Sequence, residues 1–121
     1  MSMSAALSDE ADEQAARFLY CANVAQFYYQ YSMNHDSASQ NVSTFKVTRD
    51  NFRMAAAATK AFANAEEFKS ANDLALKRVV EILEREKAEN KSLIEVESKA
   101  CAEIMTKEAV PLLSSKAETQ K

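Results

Sequence analysis

Apolar residues recur at three- and four-residue spacing between Ala11 and Met33, and they form two stripes rather than one. The first stripe combines small and aromatic side chains: Ala11, Ala15, Phe18, Ala22, Ala25 and Tyr29. The second stripe consists of Tyr20, Val24, Phe27 and Tyr31. Because an α-helix turns by about 100° per residue, the two stripes lie on roughly opposite sides of one helix. The pattern predicts a long first helix that other helices, or a partner, cover on more than one face.

The polar residues at its two ends set the expected bounds of this first helix. Ser8 can accept a hydrogen bond from the first turn, so the helix is predicted to begin there. It is predicted to end near Met33, with Asn34 in the left-handed cap position, because the chain contains no glycine to take that place. The polar segment 35–41 then reads as a loop.

Phe45 and Phe52 share one face of a second helix, and three polar residues can cap its beginning: Ser39, Asn41 and Ser43. Helix two is predicted to end near Asn64. If the same helix continued, Phe68 would fall on the wrong side of the apolar face. Asn64 and Glu67 also resemble the start of a helix, so helix three is predicted to begin there.

The polar segment 84–92 allows two interpretations. Ser92 begins a capping-box pattern and Asn90 can cap the preceding helix, which favours a turn between helices three and four. The apolar phase of helix three nevertheless continues from Leu93 onward, which favours a single helix over 65–107. An unbroken helix of that length would extend beyond a domain this small, so the turn is preferred.

The 121-residue chain is therefore predicted to be all-α, with a four-helix up-down bundle as its fold. The alternative is three helices with one long C-terminal helix. Pro111 is expected to end helix four near Val110. The bundle is assigned to residues 8–113, between disordered ends at 1–7 and 114–121. Absence of glycine agrees with this fold, since β-hairpins and phosphate-binding loops depend on it.

Charge and composition narrow the classes of partner and the compartment. The net charge is −3, so no nucleic-acid partner is predicted. With 47% hydrophobic and 27% charged residues, the chain is expected to be neither disordered nor membrane-spanning. The first seven residues carry no leader pattern. A complete chain is thus expected to be cytoplasmic, and a processed one periplasmic or secreted.

Cys21 and Cys101 form the most specific pair in the sequence, because each lies near the middle of its helix. Helices one and four are antiparallel in an up-down bundle, so the two cysteines are expected at similar depth. A disulfide between them indicates an oxidising compartment. The alternative is two buried free thiols. Two cysteines and the remote His35 do not make a zinc site, and no metal or other cofactor is predicted.

Four basic residues form a strip along helix two: Lys46, Arg49, Arg53 and Lys60. Such a strip can meet phosphate, an acidic partner or an anionic lipid, but it is more often a solvated helix face. The single histidine, His35, lies in a polar loop and is expected to be solvated.

The second stripe of helix one, namely Tyr20, Val24, Phe27 and Tyr31, is the candidate interface, since protein interfaces are enriched in tyrosine. The favoured hypothesis is a small interaction protein that binds a protein partner or forms a homodimer. The alternative is an exported bundle that carries a small apolar ligand between helices, lined by Tyr28, Phe27 and Phe45. No acid–base pair or activated nucleophile is recognisable, so an enzyme is not predicted.

Overall fold

The computed structural model describes the backbone of residues 3–119 and the side chains of residues 10–116. This part of the chain is helical and contains no strand. Three helices come first: α1 (Met3–His35), α2 (Gln40–Thr59) and α3 (Ala65–Glu89). A C-terminal helix follows in three continuous segments: α4 (Leu93–Ile104), a π-helical turn (Met105–Ala109) and α5 (Val110–Thr119). The predicted all-α four-helix bundle is confirmed.

Helix α1 and the C-terminal helix make contacts with the largest number of other helices. Each of these two packs against all three other helices, whereas α2 and α3 have little contact with each other. Between Phe18 and Ala25 every α1 side chain is buried except that of Tyr20, which is half-buried. The apolar pattern on both sides of α1 is therefore explained by helices packed on both sides.

Several predicted helix ends differ from the observed ones. Helix α1 begins at Met3, ahead of Ser8, and extends to His35, so Asn34 does not adopt the left-handed conformation. Helix α2 ends at Thr59 instead of near Asn64. Lys60 is extended, which turns the chain toward α3.

The start of α3 and the turn after it follow the sequence prediction more closely. The Asn64 side chain accepts a hydrogen bond from the Glu67 amide at 2.8 Å, as a cap should. Asn90 closes α3 in the left-handed conformation, with φ 53°, and separates it from α4. Ser92, in contrast, makes no capping bond. The carboxylate of Glu86 takes this role and accepts from the Ile94 amide at 3.0 Å.

The prediction that Pro111 ends the last helix near Val110 is wrong. The helix continues to Thr119 because the π-helical turn precedes the proline. The Val110 amide bonds to the carbonyl of Met105, five residues back instead of four. The wider turn accommodates a residue that has no N–H to donate. Of the two ends predicted to be disordered, residues 3–7 and 114–119 have helical backbone, and the remaining positions lie outside the described residues.

Candidate functional site

A cavity of about 330 Å³ lies between α1, α2 and the C-terminal helix. From α1 it is lined by Cys21, Val24, Ala25 and Tyr28. From α2 it is lined by Thr44, Phe45, Thr48 and Phe52. The C-terminal helix contributes Ser98, Cys101, Ala102, Met105 and Thr106. Its volume falls within the range of about 300–1,000 Å³ that is common for small-molecule sites.

The cavity has a buried floor and a solvent-facing mouth. Cys21, Val24 and Phe52 are each at most 2% exposed and form the floor. Thr44 and Thr106, from α2 and the π-helical turn, are exposed and lie at the mouth. A ligand would therefore enter between α2 and the C-terminal helix.

Packing explains why this space remains open. Helix α2 packs against the C-terminal helix mainly through the π-helical turn and α5, so it does not close over α4. The side chains that face the gap from α4 are small, with Ser98 and Ala102 among them. At one end, the rings of Tyr28 and Phe45 stack with their centroids 5.3 Å apart and form an aromatic wall.

Among residues 10–116, no charged side chain lines the cavity, and the polar groups of the lining side chains are hydroxyls. Two of these hydroxyls are occupied, because Thr44 donates to the Gln40 carbonyl at 3.2 Å and Thr106 to the Ala102 carbonyl at 3.1 Å. Three lining residues have hydroxyls with no hydrogen-bond partner within the described part of the chain: Tyr28, Thr48 and Ser98. The cavity thus combines apolar walls with hydroxyls that are available to hydrogen-bond a ligand.

The hydroxyl of Tyr28 remains protonated over a wide pH range. Burial raises its pKa above the ordinary value, and the negative charges of Glu95 and Glu86 raise it further. Both carboxylates lie outside the cavity lining. The electric field of these two carboxylates makes this end of the cavity unfavourable for a negatively charged ligand group.

The Cys21–Cys101 disulfide forms part of the cavity wall. The two Cα atoms are 5.5 Å apart, and the bridge joins α1 to α4 as the sequence suggested. On its other side lies a smaller pocket of about 210 Å³, between Arg17, Arg78 and Glu97. Arg17, Arg78 and Glu97 are charged, so charged side chains line this second pocket, whereas those described for the first are uncharged.

The predicted interface stripe does not form one exposed surface. Val24 is 2% exposed and lines the cavity. The hydroxyl of Tyr20 donates to Glu97 at 2.7 Å, and burial, followed by this bond, raises the pKa of Tyr20. Phe27 is half-buried with its ring against Tyr28, and Tyr31 is 53% exposed.

Phe27 is also absent from the cavity lining, whereas Tyr28 and Phe45 are present, so one of the three residues predicted for a ligand site is displaced. At the end of α1, the ring of His35 stacks on Tyr31 with centroids 3.9 Å apart. The Nδ1 atom of His35 donates to the Tyr31 carbonyl at 2.8 Å, so the histidine is held by its own helix.

The basic strip on α2 is divided between internal contacts and solvent. Lys60 binds Asp12 at 2.9 Å and Glu67 at 3.2 Å, and these two bonds raise its pKa. Arg49 donates to Gln26 at 2.7 Å and pairs with Asp50. Burial lowers the pKa of Arg53, and the charge of Arg49 adds to the effect. Lys46 is exposed.

Sequence reasoning missed the wall that α4 and the π-helical turn contribute. Ser98, Cys101, Ala102 and Met105 follow the i, i+3, i+4, i+7 spacing of one helix face, and that spacing is visible in the sequence. The spacing shows that these residues share a face, but it does not show that the face borders an open space.

Among the residues with described side chains, no group of three or more His, Cys, Asp or Glu is placed to hold a metal ion. None of the helices in the described region combines the length and apolarity needed to cross a membrane. Comparison of this chain with protein-family models, with curated proteins and with solved structures gives no match.

Proposed function

We propose that the protein binds a small apolar molecule in the cavity between α1, α2 and the C-terminal helix. The observation that carries this proposal is the cavity itself, with its buried apolar floor and an open mouth. Its volume and its mainly apolar walls are typical of small-molecule sites, which supports binding of an apolar ligand.

The cavity supports this role better than the aromatic stripe of α1 supports a protein interface. Val24 and Tyr20 are engaged inside the bundle, which leaves Tyr31 as the most exposed member of that stripe. A specific interface needs a contiguous apolar patch with aromatic anchors at its centre. Binding to a protein partner, or as a homodimer, through Tyr20, Val24, Phe27 and Tyr31 stays a prediction.

The test uses 1-aminonaphthalene, a neutral two-ring molecule whose fluorescence rises and shifts to the blue in apolar surroundings. We expect saturable binding of one molecule per chain, with a dissociation constant on the order of 10 μM. A variant that fills the mouth, Ala102→Phe, should abolish this signal because Ala102 lines the cavity and is exposed enough to accept a ring.

The matched control is Ala57→Phe on α2. Ala57 is also exposed but lies outside the lining, so this variant should bind 1-aminonaphthalene like the parent. Absence of saturable binding to the parent, or equal binding by Ala102→Phe and the parent, contradicts the proposed function.

A further inference from the structure

The size of the cavity limits the ligand to about two rings. An apolar cavity of about 150 Å³ in another protein holds one benzene. The present cavity has about twice that volume, at about 330 Å³. Its stacked Tyr28–Phe45 wall and the Phe52 ring on its floor offer flat surfaces against which a planar molecule can pack.

The described lining contains no charged side chain, and this disfavours a ligand that carries a charge. A carboxylate moved into this cavity would lose its hydration, and the described lining offers no cationic side chain to replace it. Glu86 and Glu95 lie close enough to influence Tyr28 and would repel an anion. An ammonium group would also lose hydration on burial, and the described lining offers no carboxylate to pair with it.

The unpartnered hydroxyls of Thr48 and Ser98 favour a ligand that carries a polar group. Thr48 of α2 and Ser98 of α4 line the cavity on two different helices, and each hydroxyl can donate one bond and accept others. A ligand hydroxyl or carbonyl would satisfy them, whereas a pure hydrocarbon would leave them without a partner once water is displaced.

We propose that the cavity selects neutral two-ring aromatic molecules that carry a hydroxyl or carbonyl group, with Thr48 and Ser98 as the polar contacts. This inference rests on the proposed function and specifies its ligand class. Tyr28 and Phe45 supply the aromatic wall, and the absence of lining charge supplies the discrimination against ionised analogues.

The experiment compares four molecules of equal ring size by isothermal titration calorimetry at neutral pH: 2-naphthol, naphthalene, 2-naphthoate and 2-naphthylmethylammonium. We expect 2-naphthol to bind about threefold to tenfold more tightly than naphthalene, the range that one net hydrogen bond provides. Both ions should bind at least about tenfold more weakly than 2-naphthol, and 2-naphthoate should be the weaker of the two because Glu86 and Glu95 repel only the anion.

Two variants test the hydroxyls. Thr48→Val and Ser98→Ala should each weaken 2-naphthol binding about threefold to tenfold, and neither should weaken naphthalene binding, because the hydrocarbon makes no hydrogen bond to either hydroxyl. Thr44→Val is the matched control, because Thr44 also lines the cavity, one turn before Thr48, but its hydroxyl is already bonded to the Gln40 carbonyl. The Thr44→Val variant should keep the parent's preference for 2-naphthol over naphthalene.

The outcomes separate the two proposals. If an ion binds as tightly as 2-naphthol, or if Thr48→Val and Ser98→Ala weaken 2-naphthol and naphthalene equally, the ligand class is wrong and the cavity still binds small molecules. If none of the four molecules binds, the proposed function fails together with this inference.

Discussion

Cys21 of α1 and Cys101 of α4 are joined by a disulfide, with their Cα atoms 5.5 Å apart, between the two helices that each contact all the others. The bond closes a loop of 80 residues and forms one wall of the cavity. It therefore ties the helices that every other helix packs against, beside the site proposed for the ligand.

The first prediction concerns this bond and the stability of the fold. Replacing both cysteines, as Cys21→Ala with Cys101→Ala, should lower the free energy of unfolding by about 4 kcal/mol, because the unfolded chain regains the freedom that the loop closure removes. Chemical denaturation of the parent and the double variant measures the difference.

Thiol titration checks the same bond directly. The purified, unreduced protein should show no reactive thiol after denaturation, and two after reduction. Two reactive thiols without reduction would contradict the bond. They would also remove the reason to place the protein in an oxidising compartment, where such bonds persist.

The second prediction concerns a buried polar contact between α1 and α3. Asn23 is 4% exposed, and its amide donates to the Asn72 side chain at 3.0 Å and to the Leu19 carbonyl at 2.8 Å. Asn72→Ala should lower the free energy of unfolding by about 1 kcal/mol because it removes an acceptor from a buried donor. Asn41→Ala, on the exposed start of α2, should change it far less. Equal effects of the two substitutions would show that the Asn23–Asn72 bond does not stabilise the bundle.

The third prediction concerns pH and the Tyr20–Glu97 hydrogen bond. Since the folded-state pKa of Tyr20 is raised, its contribution to stability is complete below the unfolded-state pKa of about 10 and is lost as the pH rises further. The free energy of unfolding should therefore fall above about pH 10, and Tyr20→Phe should remove part of that fall.

Tyr31→Phe serves as the control, because the Tyr31 side chain is 53% exposed and lies at the end of the same helix. Denaturant titrations between about pH 8 and 11 compare the three proteins. A pH dependence that is identical in the parent and Tyr20→Phe would rule out this contribution.

The fourth prediction concerns the π-helical turn. Pro111→Ala restores a backbone donor and should let the turn relax to ordinary α-helix, which rotates Met105 and Thr106 relative to the cavity they line. We expect a more stable protein that binds 1-aminonaphthalene at least about tenfold more weakly, since stability and a strained site often oppose each other.

Ser114→Ala lies in the same helix, is exposed and is separate from the cavity, so it should leave binding unchanged. Denaturation and fluorescence titration are both measured on each variant. If Pro111→Ala binds the dye as the parent does, the π-helical turn does not shape the cavity.

The sequence predicted those features that local chemistry decides. The two stripes of α1 predicted a helix covered on both sides, and the side chains from Phe18 to Ala25 are covered in that way. Asn64 and Asn90 predicted where α3 begins and ends, because an asparagine can cap by its side chain or adopt the left-handed conformation. The antiparallel arrangement predicted Cys21 and Cys101 at similar depth but left open whether they are bonded, and the structure shows the bond.

The features that the sequence did not predict depend on the balance between local and tertiary forces. Pro111 is expected to end a helix. The π-helical turn that precedes it instead lets the helix continue beyond the proline. Ser92 matched a capping pattern, but the Ile94 amide donates to the carboxylate of Glu86 in the preceding helix instead. The cavity lies where α2 does not pack closely against α4. The spacing of these helices depends on the whole bundle, so the apolar pattern of one helix cannot predict it.

The position of the bound ligand is the most direct test of the proposed cavity site. In a complex with 2-naphthol, isotope-filtered NMR should show nuclear Overhauser effects from the ligand ring to the methyl groups of Val24 and Met105, which line the cavity. It should show none to the methyl group of Met54, which is 53% exposed on α2. Contacts confined to Met54 or other surface methyl groups, with none to Val24 and Met105, would contradict the proposed binding site.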